Sequence, residues 1–215
     1  MPGTRAEGWL KNAPWKRFVV LGDGHARGPS ASIPRYGNLS WSRWVADQLK
    51  RQQAELLYLN LARRDALIPR VRATQLQHAL TFRPDLAAVM CGGADPMRDS
   101  FCADAVETEL TRIIVALRDI QCDVVIVGLL DFTRSGRIAP DLRGPLLERL
   151  RQLTERMEAV ALRFGALHVD IAAHPAAPDP AMLGADGRQL NRRGHAVVAG
   201  EVARRLGRHL GNEVD

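Results

Sequence analysis

The chain of 215 residues is long enough to form one domain with a buried core of its own. Its composition, 46% hydrophobic and 25% charged, excludes a disordered chain and a fibrous one. The net charge of +6 comes mainly from arginine, which accounts for 27 of the 30 basic residues. Arg193, Arg204 and Arg208 share one face of a predicted final helix, but no aromatic residues interleave with them. We therefore interpret this face as solvated and expect no nucleic-acid partner.

The sequence also favours a particular compartment. It contains no apolar run long enough to span a membrane, and its first 16 residues lack the apolar core of a signal peptide. Cys91, Cys102 and Cys122 have no spacing typical of a disulfide set or a zinc site. We interpret them as buried thiols in a reducing environment, so we expect a cytoplasmic protein with no membrane contact.

Apolar runs and helical periodicities alternate five times along the chain. The runs predict strands at residues 18–21, 56–59, 86–90, 122–130 and 167–170. The periodicities predict helices at residues 41–49, 67–82, 106–117, 146–160 and about 195–210. Ser40 is the predicted N-cap of the first of these helices, and a polar loop is predicted between the first strand and Ser40.

The predicted strands are apolar without interruption, which indicates that both faces of the sheet are covered. The sequence therefore predicts a three-layer α/β/α sandwich with a five-stranded parallel sheet, of the flavodoxin-like type. We expect one domain at residues 17–210, an N-terminal arm at 1–16 and a tail at 211–215. In such sheets, ligands bind at the carboxyl ends of the strands. The loops predicted at that edge are residues 22–28, 60–65, 92–95 and 186–189.

Four sequence blocks on these loops carry a resemblance to a known family. They read Gly22-Asp23-Gly24, Asn60-Leu61-Ala62-Arg63-Arg64-Asp65, Gly92-Gly93-Ala94-Asp95 and Asp186-Gly187-Arg188-Gln189. In order and spacing they resemble the blocks of the SGNH (GDSL-type) hydrolases, a family of esterases, lipases, thioesterases and acyl-sugar deacetylases. The resemblance covers about residues 17–210 and implies the fold of that family.

The resemblance further implies that the catalytic groups of the family are replaced in this chain. Gly24 stands at the position of the nucleophilic serine, and Gln189 at that of the general-base histidine. Asp65 and Ala94 stand where the family has a glycine and an asparagine that donate hydrogen bonds to the oxyanion, whereas Asp186 keeps the acidic partner. Because Gly24 has no oxygen and Gln189 takes up no proton at neutral pH, the acyl-enzyme mechanism is not carried over.

Charged residues near the replaced positions suggest a different chemistry. Asp65, His25 and Asp186 are the candidate catalytic residues, because an imidazole and two carboxylates in one cleft can exchange protons. The candidate substrate-binding residues are Asp23, Gly24, Arg27, Arg64, Ala94, Asp95 and Gln189. Structural alternatives stay open: His25 bonds to the backbone, Asp65 caps the following helix, and Asp23 braces its own turn.

Three functions are compatible with these residues. The first is a non-hydrolytic enzyme that uses acid–base chemistry on a small molecule, as in cyclisation, isomerisation, elimination or water addition. The second is a catalytically inactive binding protein. The third is a hydrolase with a relocated site, in which His25 activates water or Ser30 or Ser32 is a displaced nucleophile. In each case we expect a small-molecule partner and neither an organic cofactor nor a metal ion.

Overall fold

The computed structural model describes residues 8–28 and 40–214. Its strands are β1 (Arg17–Gly22), β2 (Leu57–Asn60), β3 (Leu86–Met90), β4 (Asp123–Val127) and β5 (Leu167–Val169). They form one parallel sheet in the order β2-β1-β3-β4-β5. The helices are α1 (Gly24–Arg27), α2 (Trp41–Gln52), α3 (Ile68–Phe82), α4 (Ala103–Asp119), α5 (Pro140–Arg163) and α6 (Arg192–His209). The five-stranded parallel sheet is confirmed.

Helices cover both faces of the sheet, as the uninterrupted apolar strands predict. Phe18, Val20 and other residues of that strand parity pack against α2 and α6 in one core. Val19, Leu21 and their neighbours of opposite parity pack against α3, α4 and α5 in a second core. Each fully buried aliphatic side chain contributes about 1.5–3 kcal/mol, so these two cores hold the three layers together. The α/β/α sandwich is therefore confirmed.

The carboxyl end of β1 is fixed by a buried glutamine. Gln75 of α3 accepts a hydrogen bond from the Gly22 amide at 2.8 Å and donates one to the Gly22 carbonyl at 2.9 Å. Gly22 has a φ of +150°, and a Cβ atom there would overlap the carbonyl oxygen of Met90. Glycine is required because β1 and β3 approach each other this closely where the site begins.

Side-chain caps define where two helices begin. The Ser40 hydroxyl accepts a hydrogen bond from the Arg43 amide at 3.1 Å, so the predicted N-cap of α2 is confirmed. The prediction of a polar loop between the first strand and Ser40 is wrong at its first residues, which form the short helix α1. Asp23 accepts a hydrogen bond from the His25 amide at 2.9 Å and caps this helix. Residues 29–39 lie outside the described residues.

The fourth strand is shorter than the apolar run that predicts it. β4 ends at Val127, and its last link to β5 is a hydrogen bond from the Gly128 amide to the Val169 carbonyl at 2.8 Å. Leu129 and Leu130 are buried without belonging to the strand. Their apolar character reflects burial near the end of the sheet, which a run of hydrophobic residues does not distinguish from strand pairing.

The described part of the N-terminal arm packs against the rest of the chain. Leu10 and Trp15 are buried in the core that contains α2 and α6. The Trp15 indole donates a hydrogen bond to Asp123 at 2.9 Å, and the Asn212 amide donates to the Trp9 carbonyl at 2.8 Å. The arm and the C-terminal segment therefore meet near the end of α6. The division into arm, domain and tail stays a prediction.

All three cysteines are free thiols, but they differ in exposure. Cys91 and Cys122 are buried, and burial raises the pKa of both thiols. Cys102 is exposed at the start of α4, so its predicted burial is wrong. No helix in the described part of the chain has the length and apolar character needed to cross a membrane. The cytoplasmic location stays a prediction.

Candidate functional site

The loops at the carboxyl edge of the sheet meet around one small depression. The residues that line it are Asp23, Gly24, His25, Asp65, Gly93, Ala94, Phe132, Arg188 and Gln189. Its free volume is about 10 Å³, which is room for roughly one water molecule. All four positions that the family resemblance singles out, at residues 24, 65, 94 and 189, are therefore brought together.

Four candidate residues do not line the depression. Arg27, Arg64 and Asp186 are exposed. Asp95 is buried, and its carboxylate accepts hydrogen bonds from the Ile68 amide at 3.2 and 3.3 Å at the start of α3. Burial raises the pKa of Asp95 to about 6, against the lowering effect of the Ile68 amide. Asp95 thus holds the helix start that the structural alternative for Asp65 would have it cap.

Asp23 links the two sides of the depression. Its Oδ1 atom faces both the backbone amide of His25, at 2.9 Å, and the Nδ1 atom of the His25 ring, at 3.2 Å. Its Oδ2 atom accepts a hydrogen bond from the Gly93 amide at 3.3 Å. The carboxylate is buried, so these contacts replace the water that it loses on folding. This bracing role agrees with the structural alternative considered for Asp23.

The His25 ring is held at both nitrogens. Its Nε2 atom lies 2.8 Å from the carbonyl oxygen of Arg188, which can only accept a hydrogen bond. Its Nδ1 atom faces the Asp23 carboxylate, which is also an acceptor. Burial lowers the pKa of His25, but the charge and hydrogen bond of Asp23, together with the Arg188 carbonyl, outweigh it and raise the pKa above 6.5.

This arrangement limits what His25 can do chemically. Each ring nitrogen faces an acceptor of this chain, so neither is directed at a water or substrate molecule from which it could take a proton. Its two contacts instead join the first loop to Arg188, 163 residues further along the chain. The geometry thus favours the structural alternative for His25, in which the ring bonds to the backbone.

The Gln189 side chain packs directly on Gly24. A Cβ atom built on Gly24 would overlap the Gln189 Oε1 atom and lie 2.8 Å from its Cδ and Nε2 atoms. The position that the resemblance assigns to the nucleophile is therefore filled from the side by the residue at the general-base position. A side chain at residue 24 requires the Gln189 amide to move.

Asp65 lies at the exposed rim of the depression in an unusual backbone conformation. Its φ is +57°, in the left-handed region that glycine adopts readily and aspartate tolerates better than most residues. Holding a non-glycine residue there costs of order 1–3 kcal/mol. A glycine at this position, which the resemblance implies for the family, would adopt the same conformation without that cost.

Asp186 shapes the loop that carries Gln189. Its Oδ1 atom accepts hydrogen bonds from the amides of Arg188, at 3.0 Å, and Gln189, at 2.9 Å. Partial burial tends to raise the pKa of Asp186, but these two bonds and the charges of Arg64 and Arg188 lower it below its usual value. Asp186 is therefore a carboxylate at neutral pH and braces the turn.

His195 lies behind the site, at the start of α6. Its buried Nδ1 atom accepts a hydrogen bond from the Trp41 amide at 3.4 Å. Burial, reinforced by the charge of His25, lowers the pKa of His195 to about 4, so the ring is neutral at physiological pH.

The sequence did not single out Phe132, whose buried ring also lines the depression. Phe132 follows β4, and the loop there has no recognisable motif. Its position after the carboxyl end of a parallel strand is the one feature of the sequence that could have predicted its place in the site. Ser30 and Ser32 lie outside the described residues. Within the described ranges there is no group of three or more His, Cys, Asp or Glu side chains that could hold a metal ion.

Comparisons with known proteins give a consistent result. Residues 20–197 match the model of the GDSL-like lipase/acylhydrolase family. No curated protein was found to match the sequence. The fold is similar to that of LAE5, an alpha/beta hydrolase enzyme from the metagenome of Lake Arreo. The TM-score is 0.71 at 17% identity, over 93% of this chain and 98% of that one.

Two further structures have the same fold. A lipase/acylhydrolase from Enterococcus faecalis has a TM-score of 0.70 at 16% identity, over 90% of this chain and 96% of that one. A catalytic mutant of the acetylxylan esterase Axe2 from Geobacillus stearothermophilus has a TM-score of 0.69 at 17% identity, over 92% and 95% of the two chains. At these identities, the similarities establish the fold alone.

Proposed function

The chain belongs to the GDSL-like lipase/acylhydrolase family, and on that premise we propose that it is a non-hydrolytic member that binds a small polar molecule at the depression. The observation that carries this proposal is the packing of the Gln189 amide on Gly24. Between them, these two residues offer neither the hydroxyl nucleophile nor the imidazole base of a serine–histidine acyl-enzyme mechanism.

The remaining groups suit binding better than catalysis. His25 and Asp23 satisfy each other and the surrounding backbone, so neither is free to act on a substrate. Asp65 is exposed at the rim, and the half-buried Gln189 amide carries both a donor and an acceptor. Because the free volume is about 10 Å³, a ligand would rest over the depression rather than enter it. We expect a ligand that directs a hydrogen-bond donor or positive charge at Asp65.

A non-hydrolytic acid–base enzyme is the second candidate, and the placement of Asp65 favours it. Asp65 lines the depression with an exposed carboxylate, whereas the Asp23 carboxylate is buried against the His25 ring. In this version, Asp65 transfers the proton and the ionised Asp186 keeps the opposing loop in place. A hydrolase using water activated by His25 receives no support, because both ring nitrogens are engaged.

The absence of an acyl-enzyme can be tested directly. The protein is incubated with a fluorophosphonate and with p-nitrophenyl acetate, with an active GDSL-type esterase as the positive control. We expect no mass increase on the intact protein and no release of p-nitrophenol above the buffer rate. Labelling of any serine would overturn the proposal, and Ser30 and Ser32 are the first positions to map.

Ligand binding is tested by thermal-shift screening of small polar metabolites against the parent protein, Asp65→Asn and Asp119→Asn. Asp119 is exposed at the end of α4 and serves as a matched control for loss of one carboxylate. A true ligand raises the melting temperature of the parent and control but binds Asp65→Asn about tenfold or more weakly. Turnover of that ligand by the parent would favour the acid–base enzyme. If a ligand binds Asp65→Asn and the control with equal affinity, Asp65 does not take part in binding it.

A further inference from the structure

A second, larger concavity lies at the edge of the sheet formed by β5. We call it the edge groove. Its volume is about 660 Å³, within the range of small-molecule sites. The residues that line it are Trp9, Glu158, His168, Val169, Asp170, Ala173, His174, Pro175, Glu201, Arg204, Arg205 and Arg208. None of them lines the depression, so the edge groove is a separate site.

The three arginines of the edge groove stand on α6 within five residues of one another, but they are not equivalent. Arg204 forms an ion pair with Glu201, which neutralises it. Arg205 donates from its Nε atom to the His168 carbonyl oxygen at 3.2 Å, which orients its guanidinium group. Among the described residues, neither Arg205 nor Arg208 forms an ion pair with a carboxylate.

Three carboxylates also line the groove, but among the described residues none of them forms an ion pair with Arg205 or Arg208. Glu201 is engaged by Arg204, and Asp170 accepts a hydrogen bond from the Ala173 amide at 3.0 Å. Glu158 is exposed on α5. Partial burial, and then the charge of Arg208, lower the pKa of Arg205. Two like charges held on one wall of a partly desolvated groove repel each other, and a bound anion would relieve that repulsion.

The N-terminal arm provides an apolar surface beside these charges. Trp9 is half-buried, and its backbone carbonyl is held by the Asn212 amide at 2.8 Å, so its position is set relative to α6. Val169, Ala173 and Pro175 add further apolar lining. An aromatic side chain beside a pair of arginines suits a ligand with a flat apolar body and a charged end.

We propose that the edge groove binds a small organic phosphate, with its phosphoryl oxygens on Arg205 and Arg208 and its apolar body against Trp9. Guanidinium groups bind phosphate through paired, charge-assisted hydrogen bonds, and two of them match the two negative charges of a phosphate monoester. This inference does not depend on the function proposed for the depression.

The test is isothermal titration calorimetry at low ionic strength with phenyl phosphate, inorganic phosphate and phenol as probes. We expect phenyl phosphate to bind more tightly than either of the other two, and its affinity to fall as salt is added. Arg205→Gln and Arg208→Gln should each weaken phenyl phosphate binding about tenfold or more. Arg193→Gln is the matched control, because Arg193 also lies on α6 but pairs with Asp179 outside the groove.

Trp9→Leu tests the apolar contact of the ligand separately from its phosphate contacts. It should weaken the binding of phenyl phosphate and leave that of inorganic phosphate unchanged. Because Arg208 is exposed, its variant is expected to fold normally, which circular dichroism would verify. The proposal is overturned if phenyl phosphate binds no more tightly than phenol, or if Arg193→Gln weakens binding as much as the two groove variants. Equal binding of phenyl phosphate and inorganic phosphate would overturn the organic part.

Discussion

Replacing Asp23 with asparagine should lower the pKa of His25. Protonation of His25 stabilises the fold of the parent protein, and in the variant it should destabilise the fold. The substitution keeps an oxygen that can cap α1 through the His25 amide, but it removes the negative charge 3.2 Å from the Nδ1 atom. It also replaces the acceptor of the Gly93 amide with an NH2 donor, and the cost of that loss does not depend on pH. In the parent, Asp23 and the Arg188 carbonyl raise the pKa of His25 against the effect of burial. In the variant, burial is the dominant influence and the pKa of His25 should fall below 6.5.

The sign of the effect follows from proton linkage. Because the pKa of His25 is raised in the folded parent, its contribution to stability is fully present below pH 6.5. That contribution is lost as the pH rises through the folded pKa. A hydrogen bond to a charged group contributes about 1.5–3 kcal/mol, and a distance of 3.2 Å favours the lower end. We therefore expect the part of the Asp23→Asn cost that comes from His25 to be about 2 kcal/mol at pH 6 and less at pH 8, on top of a pH-independent cost from the Gly93 contact.

Urea unfolding at the two pH values measures the stability, and NMR titration of the ring nitrogens measures the pKa of His25 directly. The direct measurement matters because the charge of Asp23 also raises the pKa of Asp95. Asp179→Asn is the control, since Asp179 caps a short helical turn in the same way, with its partner amide at 2.8 Å. An equal loss of stability at both pH values, with an unchanged His25 pKa, would refute the reasoning.

Further predictions concern the same region. Gly24→Ser should destabilise the protein only slightly, because its Cβ overlaps the far end of the flexible Gln189 side chain, and adding Gln189→Ala should remove that cost in a thermal melt. Gly24→Ser combined with Gln189→His should still hydrolyse aryl esters poorly, because Ala94 offers no side-chain donor to the oxyanion; efficient turnover would contradict this. Asp65→Gly should raise the free energy of unfolding by about 1 kcal/mol, because glycine adopts φ +57° without strain, and an unchanged value would show that the side chain compensates. Folding lowers the pKa of His195 to about 4, so the neutral ring is favoured in the folded protein. This contributes up to about 3 kcal/mol to the free energy of unfolding above pH 6.5, and the contribution is lost as the pH falls towards 4. A His195→Gln variant should lack that part of the acid sensitivity, as urea unfolding across this range would reveal.

Local pattern was sufficient for most of the architecture. The bounds of β3 agree with the prediction because its apolar run is delimited by Pro84 and Gly92, which oppose continuation of regular structure. The N-cap of α2 was predictable because a serine side chain satisfies the first free amides of a helix within three residues. The meeting of residues 24, 65, 94 and 189 was predictable because parallel strands direct their carboxyl ends to one edge.

The sequence by itself therefore determined the strands, the helices and the edge at which the site lies, since apolar runs, helical periodicity and caps depend on residues close together in the chain. Only the tertiary structure decided what the site residues do. His25 is engaged by a carbonyl 163 residues away, and Gln189 fills the space beside Gly24. Arg205 lies against the β5 edge through the His168 carbonyl. Such pairings depend on the direction of each side chain after the loops have closed, and no local propensity encodes that direction.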